Sequence, residues 1–337
     1  MKVILVAGGS GGHIYPCLEL AKFLLNKGEK VLLCGCNDSM EEKIYRSNNL
    51  DFKGLNIDKN KIKSFFKSKK DIIKIYDDFQ PDAIILFGNY ISISFAIIAI
   101  FKKIPIYLHE QNVIYGDANK LIGLKAKRIY LSLPIAKDIY KSKSVVVGNP
   151  KSDMEIQAYK YKRKNNIVIA MGSLGSSSIN KILKEFINIA SNENEYHIVI
   201  GNKYYDKFIK EVNLKDNIHL YPYLENLSSY IKGCDIFVSR AGATTISEIL
   251  VNGVASILIP SPYVKHDHQY KNAKYLKDNN ACILLEEKDL TALKMERQIN
   301  DLLKDYKKRL LIKENAKKLA SYNTKNKIYK DMISKYE

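Results

Sequence analysis

The residues best placed for chemistry begin at Gly8-Gly9-Ser10-Gly11-Gly12-His13, directly after the apolar run Val3-Ile4-Leu5-Val6-Ala7. Four glycines in five positions remove the side chains that would keep a ligand away from the backbone. A glycine turn between a strand and a helix presents free N–H groups and the positive end of a helix dipole, which suits a phosphate. No Gly-Lys-Ser/Thr follows and the spacing is not G-x-G-x-x-G, so neither standard nucleotide loop is present. His13 puts a titratable imidazole on the rim of that anion site; the plainer reading is a helix-start residue serving the local backbone. A second group, His109-Glu110-Gln111-Asn112, follows the apolar run 104–108, and Gly116-Asp117-Ala118-Asn119-Lys120 opens a helix behind it. Four polar residues in a row after a strand are poor packing material, which favours binding or catalysis. Two more turns of the same kind, Gly172-Ser173-Leu174-Gly175-Ser176 and Arg240-Ala241-Gly242-Ala243, each follow an apolar run and precede helical spacing.

These turns are positioned by a repeating pattern. Strand signals at 3–7, 30–34, 83–87, 104–108, 128–131 and 144–147, with a short one at 51–55, alternate with helical stretches. Such alternation marks a doubly wound parallel sheet, whose ligands bind outside the carboxyl ends of the strands. Residues 151–166 have little apolar content and read as a linker with a short polar helix. The cycle then starts again, with strand signals at 167–171, 196–200, 219–221, 236–238 and 256–259. The fold class is therefore α/β, with two Rossmann-like domains expected to face each other across a cleft. The expected division is residues 1–149 and 150–319, with a C-terminal helix at about 320–337 packing back on the first domain.

At 337 residues the chain has room for two domains, and 46% hydrophobic content argues against disorder. The net charge of +18 has two readings: an anionic partner, or a Lys-, Asn- and Ile-rich composition. The lysines are spread through both halves and no nucleic-acid motif occurs, so no nucleic-acid partner is expected. The five cysteines are scattered, and Cys34-Gly35-Cys36 is too tight for zinc spacing, so they read as reduced thiols. No secretory signal is visible. The uncharged segment 83–101 is broken by Gly88-Asn89-Tyr90 and reads as strand, turn and buried helix rather than a membrane span. Residues 59–76 carry seven lysines interleaved with Ile and Phe. That suits an anionic membrane surface, or equally an amphipathic helix packing its apolar side on the sheet.

Taken together, the motifs resemble the MurG family of glycosyltransferases, which have the two-Rossmann GT-B architecture. The matching pieces are the Gly8–His13 turn with Pro16, then His109-Glu110-Gln111-Asn112 with Gly116 and Asn119, and Gly148-Asn149-Pro150. They continue with Gly172-Ser173 and Gly175, Ser239-Arg240-Ala241-Gly242-Ala243, Glu248, and His268-Gln269 with Asn272-Ala273. They run in the family's order over about residues 1–285. The resemblance implies inverting transfer of N-acetylglucosamine from UDP-GlcNAc to undecaprenyl-pyrophosphoryl-MurNAc-pentapeptide (lipid I), giving lipid II for peptidoglycan. The runner-up is a UDP-sugar-dependent diacylglycerol glycosyltransferase of the same architecture.

By that resemblance the first domain receives the acceptor, with Ser10, Gly11 and Gly12 near its diphosphate and the donor's reacting end, Asn112 contacting donor or acceptor across the cleft, and Asn119 as a further substrate contact. The second domain holds the donor through Ser173, Leu224, Ala243, Thr244, Thr245, Ile246, Ser247, Glu248, His268 and Gln269. Within this set Glu248 meets the ribose hydroxyls, the backbone at Leu224 reads uracil, and His268 and Gln269 meet the sugar. An imidazole titrates near neutrality, which makes His13 the expected general base, with Glu110 the competing candidate. No Asp-x-Asp triplet occurs, so neither a cofactor nor a tightly bound metal is expected. The expected location is the cytoplasmic face of the cell membrane, peripherally bound to its anionic inner leaflet. This sequence departs from the family where Lys151-Ser152 replaces an arginine two places after Gly-Asn-Pro, and where Leu174 and His268 replace glutamines.

Overall fold

The computed structural model describes residues 1–56, 62–153, 156–161, 164–172 and 175–334, with the helical backbone alone for 62–67. The chain forms two compact units, Met1–Asp153 with Ser321–Glu337, and Met154–Ala320.

The first unit holds seven parallel strands in the order β3-β2-β1-β4-β5-β6-β7: β1 (Lys2–Val6), β2 (Lys30–Cys36), β3 (Phe52–Leu55), β4 (Ala83–Leu86), β5 (Ile106–Glu110), β6 (Arg128–Leu131) and β7 (Ser144–Val146). Helices α1 (Gly11–Asn26), α2 (Met40–Ser47), α3 (Ile62–Phe79), α4 (Tyr90–Phe101) and α5 (Asp117–Ile122) connect them. The apolar runs are continuous because both faces of the sheet are covered. Val3, Leu5, Ile85 and Phe87 enter one core with Ile14, Cys17 and Leu24 of α1, while Ile4, Val6, Ile84 and Leu86 enter another with Ile91 and Phe95 of α4.

Helix α1 starts at Gly11, five residues before the proline that reads as its first position in the sequence. Pro16 lies inside the helix and is buried. A proline there forfeits one hydrogen bond, yet the helix continues because Ile14, Cys17 and Leu18 are buried on its inner side. His13 consequently belongs to the first helical turn. Strand β5 likewise runs on to Glu110, so His109 and Glu110 are buried strand residues paired with Tyr130 and Leu131.

The uncharged stretch divides into β4, a turn at Gly88-Asn89 and α4; among the described residues no helix is long and apolar enough to cross a membrane. In the described part of the lysine-rich segment, Ile72 and Tyr76 face the core and Tyr76 donates to the Phe95 carbonyl at 3.0 Å. There the amphipathic-helix reading holds, and these two residues are not surface anchors. Residues 57–61 lie outside the described residues.

The second unit holds six parallel strands in the order β10-β9-β8-β11-β12-β13: β8 (Asn166–Ala170), β9 (Glu195–Val199), β10 (Ile218–Tyr221), β11 (Ile236–Ser239), β12 (Ala255–Leu258) and β13 (Ile283–Leu284). Around them lie α6 (Ser177–Ile189), α7 (Tyr205–Ile209), α8 (Leu227–Gly233), α9 (Ala243–Asn252), α10 (His268–Asp278), α11 (Ala292–Lys304) and α12 (Tyr306–Leu319). The short helix between the two strand cycles is a 3-10 turn at Pro150–Ser152. The five cysteines are free thiols.

The last helix, α13 (Thr324–Ile333), belongs to the first unit. Thr324 donates to the Val147 carbonyl at 2.9 Å, Tyr329 to Glu29 at 2.7 Å, and Asp331 meets Arg128 at 3.3 Å. Ile328 and Met332 are fully buried beside α1 residues in the same core. Truncating a buried isoleucine to alanine removes its apolar burial and leaves a cavity. Ile328→Ala is therefore expected to lower stability by about 2–5 kcal/mol in urea unfolding followed by circular dichroism. A loss below the scatter of surface substitutions would mean that α13 does not clasp this core.

Candidate active site

Both sheets reverse their winding beside their first strand, between β1 and β4 and between β8 and β11. Ligands of doubly wound sheets bind outside the carboxyl ends at such switch points. The candidate turns sit there: Gly8–Ser10 after β1, Gly88-Asn89 after β4, and 240–242 after β11.

In the first unit, Ser10 is the N-cap of α1 but makes no side-chain cap bond, so the helix opens on the amides of Gly11 and Gly12. The turn is held by close approach. Gly9 has φ +87°, and a Cβ there would fall 2.1 Å from Asn89 Nδ2. Gly88 has φ +102°, and a Cβ there would lie 3.1 Å from the His13 ring and 3.4 Å from Asn119 Nδ2. His13 and Asn119 are thus brought together against the bare backbone of Gly88.

Asn119 is in turn fixed by Glu110. The buried Glu110 carboxylate accepts from Asn112 N at 3.0 Å and Asn112 Nδ2 at 3.2 Å on Oε1, and from Gly116 N at 3.0 Å and Asn119 Nδ2 at 2.9 Å on Oε2. Asn119 also donates to the His109 carbonyl at 3.3 Å, which leaves its own buried side-chain oxygen without a hydrogen-bond partner. Behind this group, His109 donates from Nε2 to the Gly148 carbonyl at 3.0 Å, and its Nδ1 accepts from Gln111 Nε2 at 3.2 Å. Burial lowers the His109 pKa to about 4, opposed by the bond to Gly148 and reinforced by the nearby charge of a protonated His13. His109 is therefore neutral near pH 7 and does not compete with His13 for a proton.

The second unit places its residues around α9. Gly242, the N-cap, has no side chain to close the helix end, and Ala243, Thr244 and Thr245 form its first turn. The Thr244 hydroxyl oxygen is buried without a hydrogen-bond partner. Ile246 and Ser247 point inward, the latter donating to the Ala243 carbonyl at 3.0 Å. Glu248 is 8% exposed and accepts from Ser228 Oγ of α8 at 2.8 Å. Arg240 braces the turn: it donates to the Ile259 carbonyl at 3.1 Å and to Ser176 Oγ at 2.9 Å, and it pairs with Glu287 at 2.5 Å. Asn272 of α10 reaches the Ala241 carbonyl at 3.2 Å.

Leu224 is half-buried in the loop after β10. His268 and Gln269 open α10; His268 Nδ1 donates to the Lys265 carbonyl at 2.9 Å, and Gln269 accepts from Ser261 N at 2.9 Å. Ser173 and Leu174 lie outside the described residues. At the position of the family arginine, Ser152 is buried and donates within its own turn to the Asn149 carbonyl at 2.8 Å. Among the described residues one group has metal-ligand spacing, Glu195, His197 and His219, and it is not among these residues.

Residues 3–131 match the model described as the glycosyltransferase family 28 N-terminal domain, and residues 166–332 the one described as its C-terminal domain. The chain is 32% identical over 98% of both chains to the UDP-N-acetylglucosamine--N-acetylmuramyl-(pentapeptide) pyrophosphoryl-undecaprenol N-acetylglucosamine transferase of Thermoanaerobacter sp. (strain X514). It is 34% identical, again over 98% of both, to transferase 1 of that name from Bacillus cereus (strain ATCC 14579). This chain belongs to glycosyltransferase family 28. Its fold is that of the crystal structure of Acinetobacter baumannii MurG, at TM-score 0.83 and 24% identity, with 99% of each chain covered.

Several residues of this family 28 glycosyltransferase's site escape a reading of the sequence. Gly88 and Asn89 read in the sequence as a turn, but the close approach of Asn89 to Gly9 and of His13 to Gly88, at positive φ, appears only in the fold. Ser228 is one serine of a Ser-Ser pair, and only the packing of α8 beside α9 selects it. Glu287 lies far along the chain from Arg240, with no local signal linking them.

The buried imidazole makes stability depend on acid. Below pH about 6.5 the unfolded chain protonates His109, while the folded chain refuses the proton until pH falls to about 4. The depressed pKa thus contributes stability that is fully present above pH 6.5 and is lost as pH falls towards 4, on the order of 3 kcal/mol in all. His197, lowered to about 4 chiefly by burial, acts in the same direction. Unfolding free energy measured from pH 7 to 4 is expected to decline, and His109→Gln to make that decline shallower. An unchanged slope in the variant would mean that His109 is not buried neutral.

Proposed function

We propose that this chain transfers N-acetylglucosamine from UDP-GlcNAc to lipid I, with inversion at the anomeric carbon, giving lipid II. The observation that carries the donor half is α9. Its uncapped N-terminus and the orphaned Thr244 hydroxyl suit a diphosphate, and Glu248 lies four residues on, about 6 Å along the axis, where a carboxylate suits ribose hydroxyls. Ser228 holds that carboxylate in place. Ser173, Leu224, His268 and Gln269 complete the donor set in this reading. The names of the relatives favour this acceptor over diacylglycerol.

In the first unit, the amides of Gly11 and Gly12, with Ser10, take the acceptor's diphosphate, and Asn112 and Asn119 orient the acceptor. A ring nitrogen of His13 takes the proton from the attacking acceptor hydroxyl. The new bond joins that oxygen to the anomeric carbon, the bond from that carbon to the diphosphate breaks, and the electron pair leaves with UDP. Positive helix ends and N–H groups stabilise the departing charge, so the step needs no metal. Glu110 serves as a positioning residue: its carboxylate is occupied by four donors, and it holds Asn119 beside Gly88, next to which His13 also lies.

The acceptor is lipid-linked, and the first unit has a surface that suits an anionic inner leaflet. Phe101 is 77% exposed at the end of α4, and Leu121 (56%), Leu124 (62%) and Ile139 (59%) are exposed on and after α5. Lys102, Lys103, Lys120, Lys125 and Lys137 lie among them in sequence. Apolar side chains with flanking lysines favour peripheral binding to anionic lipid, which supports a reading in which the enzyme works at the cytoplasmic face, where UDP-sugars occur.

The test is incubation of the purified chain with labelled UDP-GlcNAc and either lipid I or diacylglycerol. Label is expected in lipid II only, and Glu248→Gln is expected to weaken UDP-GlcNAc binding about tenfold, as loss of a charged hydrogen bond does. Labelled glycolipid from diacylglycerol, with none from lipid I, would overturn the assignment.

A further inference from the structure

On β9 and β10 of the second unit, one face carries side chains that do not suit an apolar core. Glu195 and His197 alternate with Tyr196 and Ile198, so they project from the same side of β9, and the register sets His219 of β10 directly beside His197. The opposite face of these strands is apolar: Tyr196, Ile198 and Ile218 belong to the main core of the unit. None of the three polar residues takes part in the groups assigned above to either substrate. They start at the amino edge of the sheet, where Glu195 is level with Asn166, while the donor groups follow the carboxyl ends of β8 and β11.

The three side chains converge. Glu195 Oε1 lies 3.1 Å from His219 Nε2 and 3.4 Å from His197 Nε2, and all three ligand atoms lie within 4.8 Å of one another. A cation about 2.1 Å from each of three tetrahedral ligands sets them about 3.4 Å apart, so two of the separations already fit. His197 is 2% exposed, and its Nε2 is buried with no hydrogen bond of acceptable geometry. Its other nitrogen, Nδ1, is 2.9 Å from the Tyr221 hydroxyl, the outer contact that fixes the tautomer of a metal-binding imidazole. Tyr161 and Tyr230 pack around the His197 ring at 5.1 and 5.3 Å between centroids, while the His219 side chain is 40% exposed, leaving an entrance for a cation and a water.

We propose that Glu195, His197 and His219 form a site for a divalent transition-metal ion of the zinc class, bracing the β9–β10 edge of the second unit. Two imidazoles and one carboxylate select borderline metals such as Zn(II) over Mg(II) or Ca(II), which prefer all-oxygen shells. The absence of an Asp-x-Asp triplet argues against a metal on the donor diphosphate, and this site is separate from that chemistry.

The test uses the full chain, stripped with a chelator and then dialysed against Zn(II), with bound metal measured by elemental analysis and thermal unfolding followed in parallel. One zinc per chain is expected, with an unfolding midpoint that rises on zinc addition. His197→Gln and His219→Ala are each expected to weaken binding at least about tenfold and to abolish the zinc-dependent rise, and Co(II) in place of zinc is expected to give visible absorption. His219 is partly exposed, so His219→Ala should fold, with unchanged UDP-GlcNAc binding as the check. Failure to retain zinc in the wild-type chain, or equal retention by His219→Ala, would overturn the proposal.

Discussion

The first unit's site depends on one buried carboxylate. Glu110 ends β5 with its charge out of water, where an isolated carboxylate would be strongly disfavoured. Two backbone amides and two side-chain amides meet it, which compensates the charge and at the same time determines the path of the chain from Asn112 to Asn119. Because Asn119 is held there, its amide lies against Gly88, and so does the imidazole of His13. His109 ties the same strand end to Gly148, and Thr324 of α13 bonds to Val147 immediately before it. The clasp of the last helix and the fixing of Asn119 beside Gly88 therefore both converge on the end of β5.

The two units solve a common problem in different ways. Each has a parallel sheet whose winding reverses beside its first strand, and each leaves a helix N-terminus without a side-chain cap at that point. An uncapped N-terminus is unfavourable for the isolated helix and favourable for an anion. The first unit adds an imidazole to that end and the second adds a carboxylate further along the helix. In the function proposed above, this difference would separate proton abstraction at the acceptor from nucleoside recognition at the donor. Arg240 supports the second arrangement from behind, its guanidinium occupied by Ile259, Ser176 and Glu287, and is thereby a brace for the turn.

Much of this was legible in the sequence, for a physical reason. Parallel strands buried on both faces must be continuous apolar runs, and the ligand-binding turns must follow them, so Gly8–His13, His109–Asn112 and Arg240–Ala243 stand out at once. What escaped was whatever depends on tertiary placement. Pro16 reads as a helix start, yet packing of Ile14 and Cys17 carries the helix back to Gly11, so that His13 lies in its first turn, as the plainer reading of it has it. Glu110 reads as a rival base by its type, whereas its four donors are visible only in the fold. The lysine-rich segment offered two readings, and Ile72 and Tyr76 turn out to be buried. Glu195, His197 and His219 look like ordinary strand residues until the β9–β10 register puts them side by side.

In the proposed mechanism His13 carries the proton while Glu110 only positions its neighbours. This assignment is tested most directly by steady-state transfer to lipid I with His13→Ala, alongside equilibrium binding of UDP-GlcNAc to the same protein. Turnover is expected to fall by about 10²–10⁴-fold while donor affinity stays within about twofold, because the proposed donor groups lie in the other unit. Near-normal turnover in His13→Ala, together with abolished turnover in a folded Glu110→Gln variant, would contradict it and transfer the role of base to Glu110.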